Sequence, residues 1–412
     1  MSEKKQNFLI LFIIIGVFVA LLFFANFTYV KNQPGGIDFL HRWYPTRLVA
    51  FEGYENIYSQ EVEYQVELFR YGRKHGDDFP GMFSYPYHTM FVFLPFALIK
   101  DFSLARATWM TVMELAHIGI ILLTLKTIGY KPAKNILLGL ILFSLFSAEF
   151  LQPLIDGNPS SLAALFVILS LFLISKKSDY LAGMFLAFST IKPQLSVLFF
   201  ALIWIWSFSR KRWGIIYSSS VALFVLFGIS FLSLPNWVSE FIRDTTAYPG
   251  AATPSTPRTI LAHWMPVPIA NIIAWALAIL SIYILFHTWG RAYGKEFPIL
   301  LWAMSITFAI MPLTGITSAK SNYVAMLPGV ILLLQYGAQE LKMKDILLGS
   351  FLMIWIGLGW LFFYLGRTWV IGDNLIYFID FYPMPIILLT LYYVMRPSKD
   401  SKTLEFYEKS VG

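Results

Sequence analysis

The chain has 412 residues, of which 57% are hydrophobic and only 13% charged, with a net charge of +7 and no cysteine. A soluble domain carries about 25% charged residues, so a soluble globular class is excluded. Without cysteine there is no disulfide framework, thiol nucleophile or thiolate metal site, and the positive charge calls for no nucleic-acid partner, because basic residues of a membrane protein gather in its cytoplasmic loops.

The first apolar run, "FLILFIIIGVFVALLFFANF", covers Phe8 to Phe27. It has the length of a spanning helix, about 20 residues, rather than that of a cleaved signal core. We read it as a retained first helix with Lys4 and Lys5 inside. Residues 28–103 form a long external loop. Asp38 stands in it close to the membrane exit, followed by His41, Arg42 and Tyr44. The stretch "YSQEVEYQVELFRYGRKHG" has Val62, Val66 and Phe69 at helical spacing, which predicts an amphipathic helix on the membrane surface. The run 87–99, "YHTMFVFLPFALI", is short for a span and is placed in or against the outer face. Further spanning segments follow at 104–125, 135–151, 159–174, 180–191, 194–208, 214–233, 266–287, 297–312, 322–337, 345–365 and 375–395. With both termini inside, these twelve crossings put 18 of the 31 Lys and Arg residues on the cytoplasmic side, as the inside bias of basic residues requires. A second long external loop covers 234–265, and 396–412 is a cytoplasmic tail. The whole is one integral membrane domain, all-α and polytopic.

Several polar residues stand out against this background. Segments 180–191 and 194–208 meet at "STIKPQLS", where Lys192, Pro193 and Gln194 interrupt the apolar run. Helix breaks at membrane depth are tolerated in protein or along a wet cavity. Lys192, Lys320 and Arg258 are external cations beside Ser, Thr, Asn or Gln, and Arg243 and Arg367 share that face. Each could be a snorkelling side chain; together they suit an anion, with phosphate the natural candidate. Asp156-Gly157-Asn158-Pro159 is a turn signal. Asn158 or Ser160 could cap the following helix, or Asp156 and Asn158 could contact sugar hydroxyls. His88 and His263 are also external, but no H-E-x-x-H or close histidine pair exists, and there is no P-loop or G-x-S-x-G. Neither a metal nor a cofactor is expected.

A carboxylate past the first helix, external cations, a helix break and aromatics such as Trp43, Tyr44, Tyr85, Tyr87 and Trp264 suit glycosyl transfer from a lipid-phosphate sugar. The carboxylate serves as general base and the cations stabilise the departing phosphate. The alternative is a carrier or flippase for a lipid-linked saccharide or another anionic solute. It would use the same cations, but the internal symmetry common in carriers is not found.

The segments "IDFLHRWYPTRLVAFEGYENIYS", "FSYPYHTMFVFLPFALI" and "LIDGNPSSLAALFVILSLFLISKKSDYLAGMFLAFSTIKPQLSVLFF" resemble, in order, elements of glycosyltransferase family 87. These are polyprenol-phosphate-mannose-dependent mannosyltransferases of the type-C membrane superfamily. Asp38, Tyr44, Gly53 and Tyr58 match the family's external-loop pattern. The resemblance implies a type-C fold and Asp38 as the base that activates the acceptor. It implies inverting transfer, on the outer face of a bacterial plasma membrane, to a lipid- or glycan-linked hydroxyl. It also places Lys192 near the donor phosphate. One departure is in "TSAKSNYVAM", which lacks the family's histidine; Lys320, Asn322 or Tyr323 stands there instead.

Overall fold

In lipid every backbone polar group must be bonded within its own segment or with neighbouring protein, so Leu-, Ile- and Phe-rich runs fold as helices. The computed structural model describes residues 3–72, 81–247, 256–315, 320–368 and 381–394, and among these the regular structure is helical throughout. In chain order the helices are α1 (Glu3–Asn32), α2 (Ile37–Phe51), α3 (Gln60–Tyr71), α4 (Met90–Ala97), α5 (Phe102–Ile128), α6 (Lys134–Phe146), α7 (Ala148–Asp156), α8 (Ser160–Ser175) and α9 (Asp179–Phe188). They continue with α10 (Pro193–Ser209), α11 (Trp213–Ser233), α12 (Trp237–Ala247), α13 (Pro257–Leu261), α14 (Val267–Ala292), α15 (Phe297–Ile310), α16 (Leu327–Gln339), α17 (Asp345–Thr368) and α18 (Pro383–Val394).

Five helices, α1, α5, α11, α14 and α17, are long and apolar enough to cross a membrane among the described residues. The bent pair α6–α7 makes a sixth if it counts as one span. The run expected as one helix over 135–151 is broken at Ser147, whose backbone is extended (ψ 145°), and its halves meet at 53°. The expected segments 159–174, 180–191, 194–208 and 297–312, and the described part of 375–395, fall on shorter apolar helices of 10–17 residues, while 322–337 starts in a 3-10 stretch, Lys320–Met326, and continues as α16. A 16-residue helix such as α8 rises only about 24 Å, against a hydrocarbon core of about 30 Å. The run 87–99 folds as a single 3-10 turn, Tyr87–Thr89, followed by α4. The break at "STIKPQLS" is present: α9 ends in a 3-10 turn, Ser189–Ile191, and α10 starts at Pro193. The tail expected in the cytoplasm (396–412), the Arg367 side chain and the first part of 375–395 lie outside the described residues.

The chain divides into two compact units. The first is Met1–Leu115, Leu154–Pro159 and Asn236–Tyr248. Its core is aromatic. Phe39, Phe93 and Trp109 are fully buried, with the Trp109 ring 4.6 Å from Phe93 and 5.7 Å from Phe39. Two of its buried indoles donate to backbone carbonyls, a common way to satisfy a buried tryptophan: Trp43 to that of Phe96 (2.9 Å) and Trp109 to that of Gly157 (2.8 Å). On α3, whose apolar face was expected on the membrane surface, Val62 and Val66 are buried in the protein and Phe69 is exposed. Ser59 caps its start and Gly72, left-handed at φ 69°, ends it. No residue of the apolar window of α1 is buried, as suits a lipid-facing helix. Near the end of α1, Asn26 donates to Glu114 (2.6 Å) and Thr111 (3.0 Å) of α5.

The second unit is Ala116–Pro153, Ser160–Pro235 and Pro249–Gly412. Here α9 packs closely on α11. A side chain at Gly183 would meet the Ile215 carbonyl at 2.3 Å. Trp289 donates to Thr307 across α14 and α15 (2.9 Å).

Gly157 carries a turn of the first unit at φ 75°, where a Cβ would lie 2.5 Å from the Phe39 Cβ. Gly53 has a similar φ of 83° but open space around it. Gly157→Ala should therefore cost about 2–4 kcal/mol, from backbone strain plus overpacking, whereas Gly53→Ala should cost only the strain, about 1–2 kcal/mol. Thermal unfolding of the detergent-solubilised variants checks this, and equal losses would refute the packing argument.

Candidate active site

The first unit assembles a carboxylate site. Pro34, Gly35 and Gly36 turn the chain from α1 into α2, and Gly36 is left-handed at φ 77°. Asp38 thus falls in the first turn of α2, at the positive end of that helix, rather than in a loop. Arg42, one turn on, donates to Asp38 Oδ1 (3.1 Å). Asn158, from the turn after α7, donates to Oδ2 (2.7 Å). The Asp38 side chain is still 34% exposed, so the carboxylate accepts from both donors and remains partly accessible. The Arg42 guanidinium lies 4.4 Å from the centre of the Tyr85 ring, a cation–π arrangement. Tyr85 in turn accepts at its carbonyl from the Tyr58 hydroxyl (2.7 Å).

Other expected residues of this unit form its surroundings. His41 is buried beside Arg42. Burial first, and then the Arg42 charge, hold its pKa well below the ordinary value against the pull of Asp38. It is a neutral imidazole at physiological pH. Tyr44 packs its ring 4.6 Å from Phe69 of α3. His88 is buried edge-on to Trp237 of α12 at 6.3 Å. Asp156, half-buried, ends α7.

One residue that organises this site, Arg106, did not emerge from the sequence, and a second, Arg243, stood out there only as an external cation. Arg106 is buried on α5 and donates to the carbonyls of Gln33 (3.2 Å), Pro34 (3.3 Å) and Ile155 (3.1 Å). Its signal was a charge inside the first turns of an otherwise apolar helix. Arg243 of α12 donates to the Tyr58 carbonyl (2.6 Å) and pairs with Asp244 (3.1 Å) and Glu240 (2.5 Å).

The second unit assembles a cationic site. Lys192, buried at the N-cap of α10, donates to the hydroxyls of Ser160 and Ser321, the latter at 3.0 Å. Ser160 in turn donates to Asn322 Oδ1 (3.2 Å). Ser160 opens α8, so two helix N-termini lie within the reach of one lysine side chain, an arrangement that favours anions. Tyr323 is buried with its hydroxyl on the Phe381 carbonyl. Lys320 lies 5.6 Å from the Phe381 ring and borders an apolar cavity of about 190 Å³, which Glu149, Trp355 and Phe362 also line. Arg258, on the short helix α13, donates to Asn271 (2.8 Å) at an exposed position. Gln194 is half-buried on α10 and His263 is exposed. The structure thus joins Lys192, expected at the donor phosphate, to Asn322, expected at the sugar or acceptor, through Ser160. Lys320 adjoins this group through its neighbour Ser321.

The sequence model of glycosyltransferase family 87 matches residues 83–314, more than half of the chain. No curated protein and no solved structure matches it.

Burial raises Asp244 to about 6 in spite of its pairing with Arg243. The folded chain therefore favours the protonated acid. That contribution is complete below the ordinary value near 4 and is lost as pH rises through about 6. The melting temperature should accordingly fall between about pH 4 and 6, and Asp244→Asn should flatten that slope. Unchanged slopes in a pH series of melting curves would refute the assignment.

Proposed function

Because the chain belongs to glycosyltransferase family 87, and is thus a membrane glycosyltransferase, we propose that it moves a sugar from a polyprenyl-phosphate donor to a hydroxyl acceptor. Mannose is the sugar that the family pattern favours, and the acceptor is a lipid- or glycan-linked hydroxyl on the extracytoplasmic face. The observation that carries this reading is the Asp38 carboxylate at the start of α2, fixed by Arg42 and Asn158 and still partly open. Family membership leaves the carrier reading without support.

In the proposed reaction Asp38 takes the proton of the acceptor hydroxyl as its oxygen attacks the anomeric carbon. The bond from that carbon to the phosphate oxygen breaks, and the polyprenyl phosphate leaves with the electron pair. Attack from the opposite face inverts the configuration. Charge grows on the departing phosphate, and cations placed there lower the barrier because they act most strongly in the transition state. Lys192 takes this role, supported by the Ser160 and Ser321 hydroxyls and the two helix N-termini around it. Lys320 and Arg258 serve as further cations for the donor, and the isoprenoid chain lies along the apolar cavity beside Lys320. His41, Tyr44, Tyr85, His88, Asp156, Gln194, His263, Asn322 and Tyr323 are assigned to sugar and acceptor contacts. The shorter helices complete twelve crossings, with their end turns bridging the remaining membrane depth and both termini in the cytoplasm.

Asp38→Asn and Asp38→Ala should lower transfer about 10²–10⁴-fold, the usual worth of a positioned general base, while the melting temperature stays close to that of the parent. The measurement is transfer of radiolabelled sugar from polyprenyl phosphomannose to extracted membrane acceptors. A well-folded Asp38→Ala protein with near-parental turnover would refute the role.

A further inference from the structure

His117 is fully buried on α5, and the reaction proposed above gives it no part. Both ring nitrogens have partners. Nδ1 lies 2.7 Å from the Ser144 carbonyl and Nε2 lies 2.8 Å from Ser161 Oγ. A carbonyl can only accept, so Nδ1 carries the proton. Nε2 of the neutral ring must then accept, and the Ser161 hydroxyl donates to it.

This assignment fixes more than one hydroxyl. Ser161 is the second residue of α8, and the first is Ser160, which accepts from Lys192 and donates to Asn322. Ser144 stands near the end of α6, three residues before the break at Ser147. The imidazole therefore ties the first turn of α8 to the last turn of α6. The backbone carrying Ser160 is thus anchored through its neighbour Ser161. Ser161 is almost fully buried, as are Ser160, Lys192 and Asn322, so solvent does not stand in for a lost partner.

We infer that His117 is a positioning residue for the anion-binding group around Lys192: through Ser161 it sets where Ser160 meets the lysine, and so the affinity for the donor's phosphate. The inference rests on the reading of Lys192 as the donor-phosphate contact.

Two substitutions separate the two bonds of the ring. Asparagine places its amide near Nδ1, so His117→Asn keeps a donor for the Ser144 carbonyl and loses the acceptor for Ser161. Glutamine reaches the position of Nε2, so His117→Gln restores that acceptor. The experiment is binding of polyprenyl phosphate, without sugar, to the full-length chain in detergent, with melting temperature as the folding control. His117→Asn and Ser161→Ala should each weaken binding about five- to tenfold, the worth of one buried hydrogen bond, and His117→Gln should stay within about twofold of the parent. Lys192→Ala should bind more weakly than any of these. Parental affinity in both His117→Asn and Ser161→Ala, with Lys192→Ala impaired, would overturn the inference and leave the donor reading intact. Parental affinity in Lys192→Ala would bring down the donor reading, and the inference with it. Should His117→Asn fail to fold, Ser161→Ala decides the question, since it removes the same bond from the other partner.

Discussion

The carboxylate site depends on one guanidinium. Arg106 draws together the carbonyls of Gln33 and Pro34, where α1 gives way to α2, and that of Ile155, near the end of α7. Carbonyls at helix ends have no partner within their helix, and a planar group with five donors can serve several at once. The chain accommodates this by omitting side chains. A Cβ at Gly36 would lie 2.5 Å from the Arg106 side chain, and one at Gly35 would lie 2.8 Å from it. Two segments more than 110 residues apart in sequence are thereby set side by side. One carries Asp38 and the other carries Asn158, so their 2.7 Å contact follows from where Arg106 holds the backbone.

A second set of contacts holds the far side of the same carboxylate. Arg42 faces both Asp38 and the Tyr85 ring. Tyr85 is held by Tyr58, and Tyr58 by Arg243 on α12. Each step joins a side chain to a backbone carbonyl or to a ring, so the orientation of Arg42 is set by residues from three stretches of the chain. Such support matters because a reactive group must be held within a fraction of an ångström of its working geometry.

Much of this architecture is written in local sequence, and its limits are equally physical. Apolar runs reveal helices because lipid leaves the backbone no other spanning form, yet the break at Ser147 has no proline or glycine at the break itself to announce it. Asp38 stood out as a carboxylate near a membrane exit and through the family pattern. That its partner is Asn158 was invisible, since no local rule pairs residues 120 positions apart. Lys192 was marked by the interrupted helix, but its hydroxyl partners Ser160 and Ser321 look like any other serines. Arg106 was overlooked because a single arginine near the end of an apolar helix looks like a snorkelling side chain; only the three carbonyls around it reveal a clamp. Arg258 was grouped with Lys192 by charge and predicted face alone, and in the structure it donates to Asn271.

The two candidate sites also differ in the kind of partner that holds the charged group, and the difference fits the steps proposed for them. Asp38 is held by an amide and a guanidinium, which only donate toward it. That suits a group whose position must stay fixed while a proton arrives. Lys192 is held by hydroxyls, which donate and accept and reorient by rotating one proton. Ser160 and Ser321 can accept from the ammonium when no anion is bound and turn to donate when a phosphate oxygen approaches, with no movement of heavy atoms. An amide has its donor and acceptor ends fixed and would have to flip to do the same. A carboxylate in either place would repel the incoming phosphate outright. Serine is therefore the side chain that can hold a buried ammonium in the resting protein and still help it receive an anion that comes and goes with each turnover.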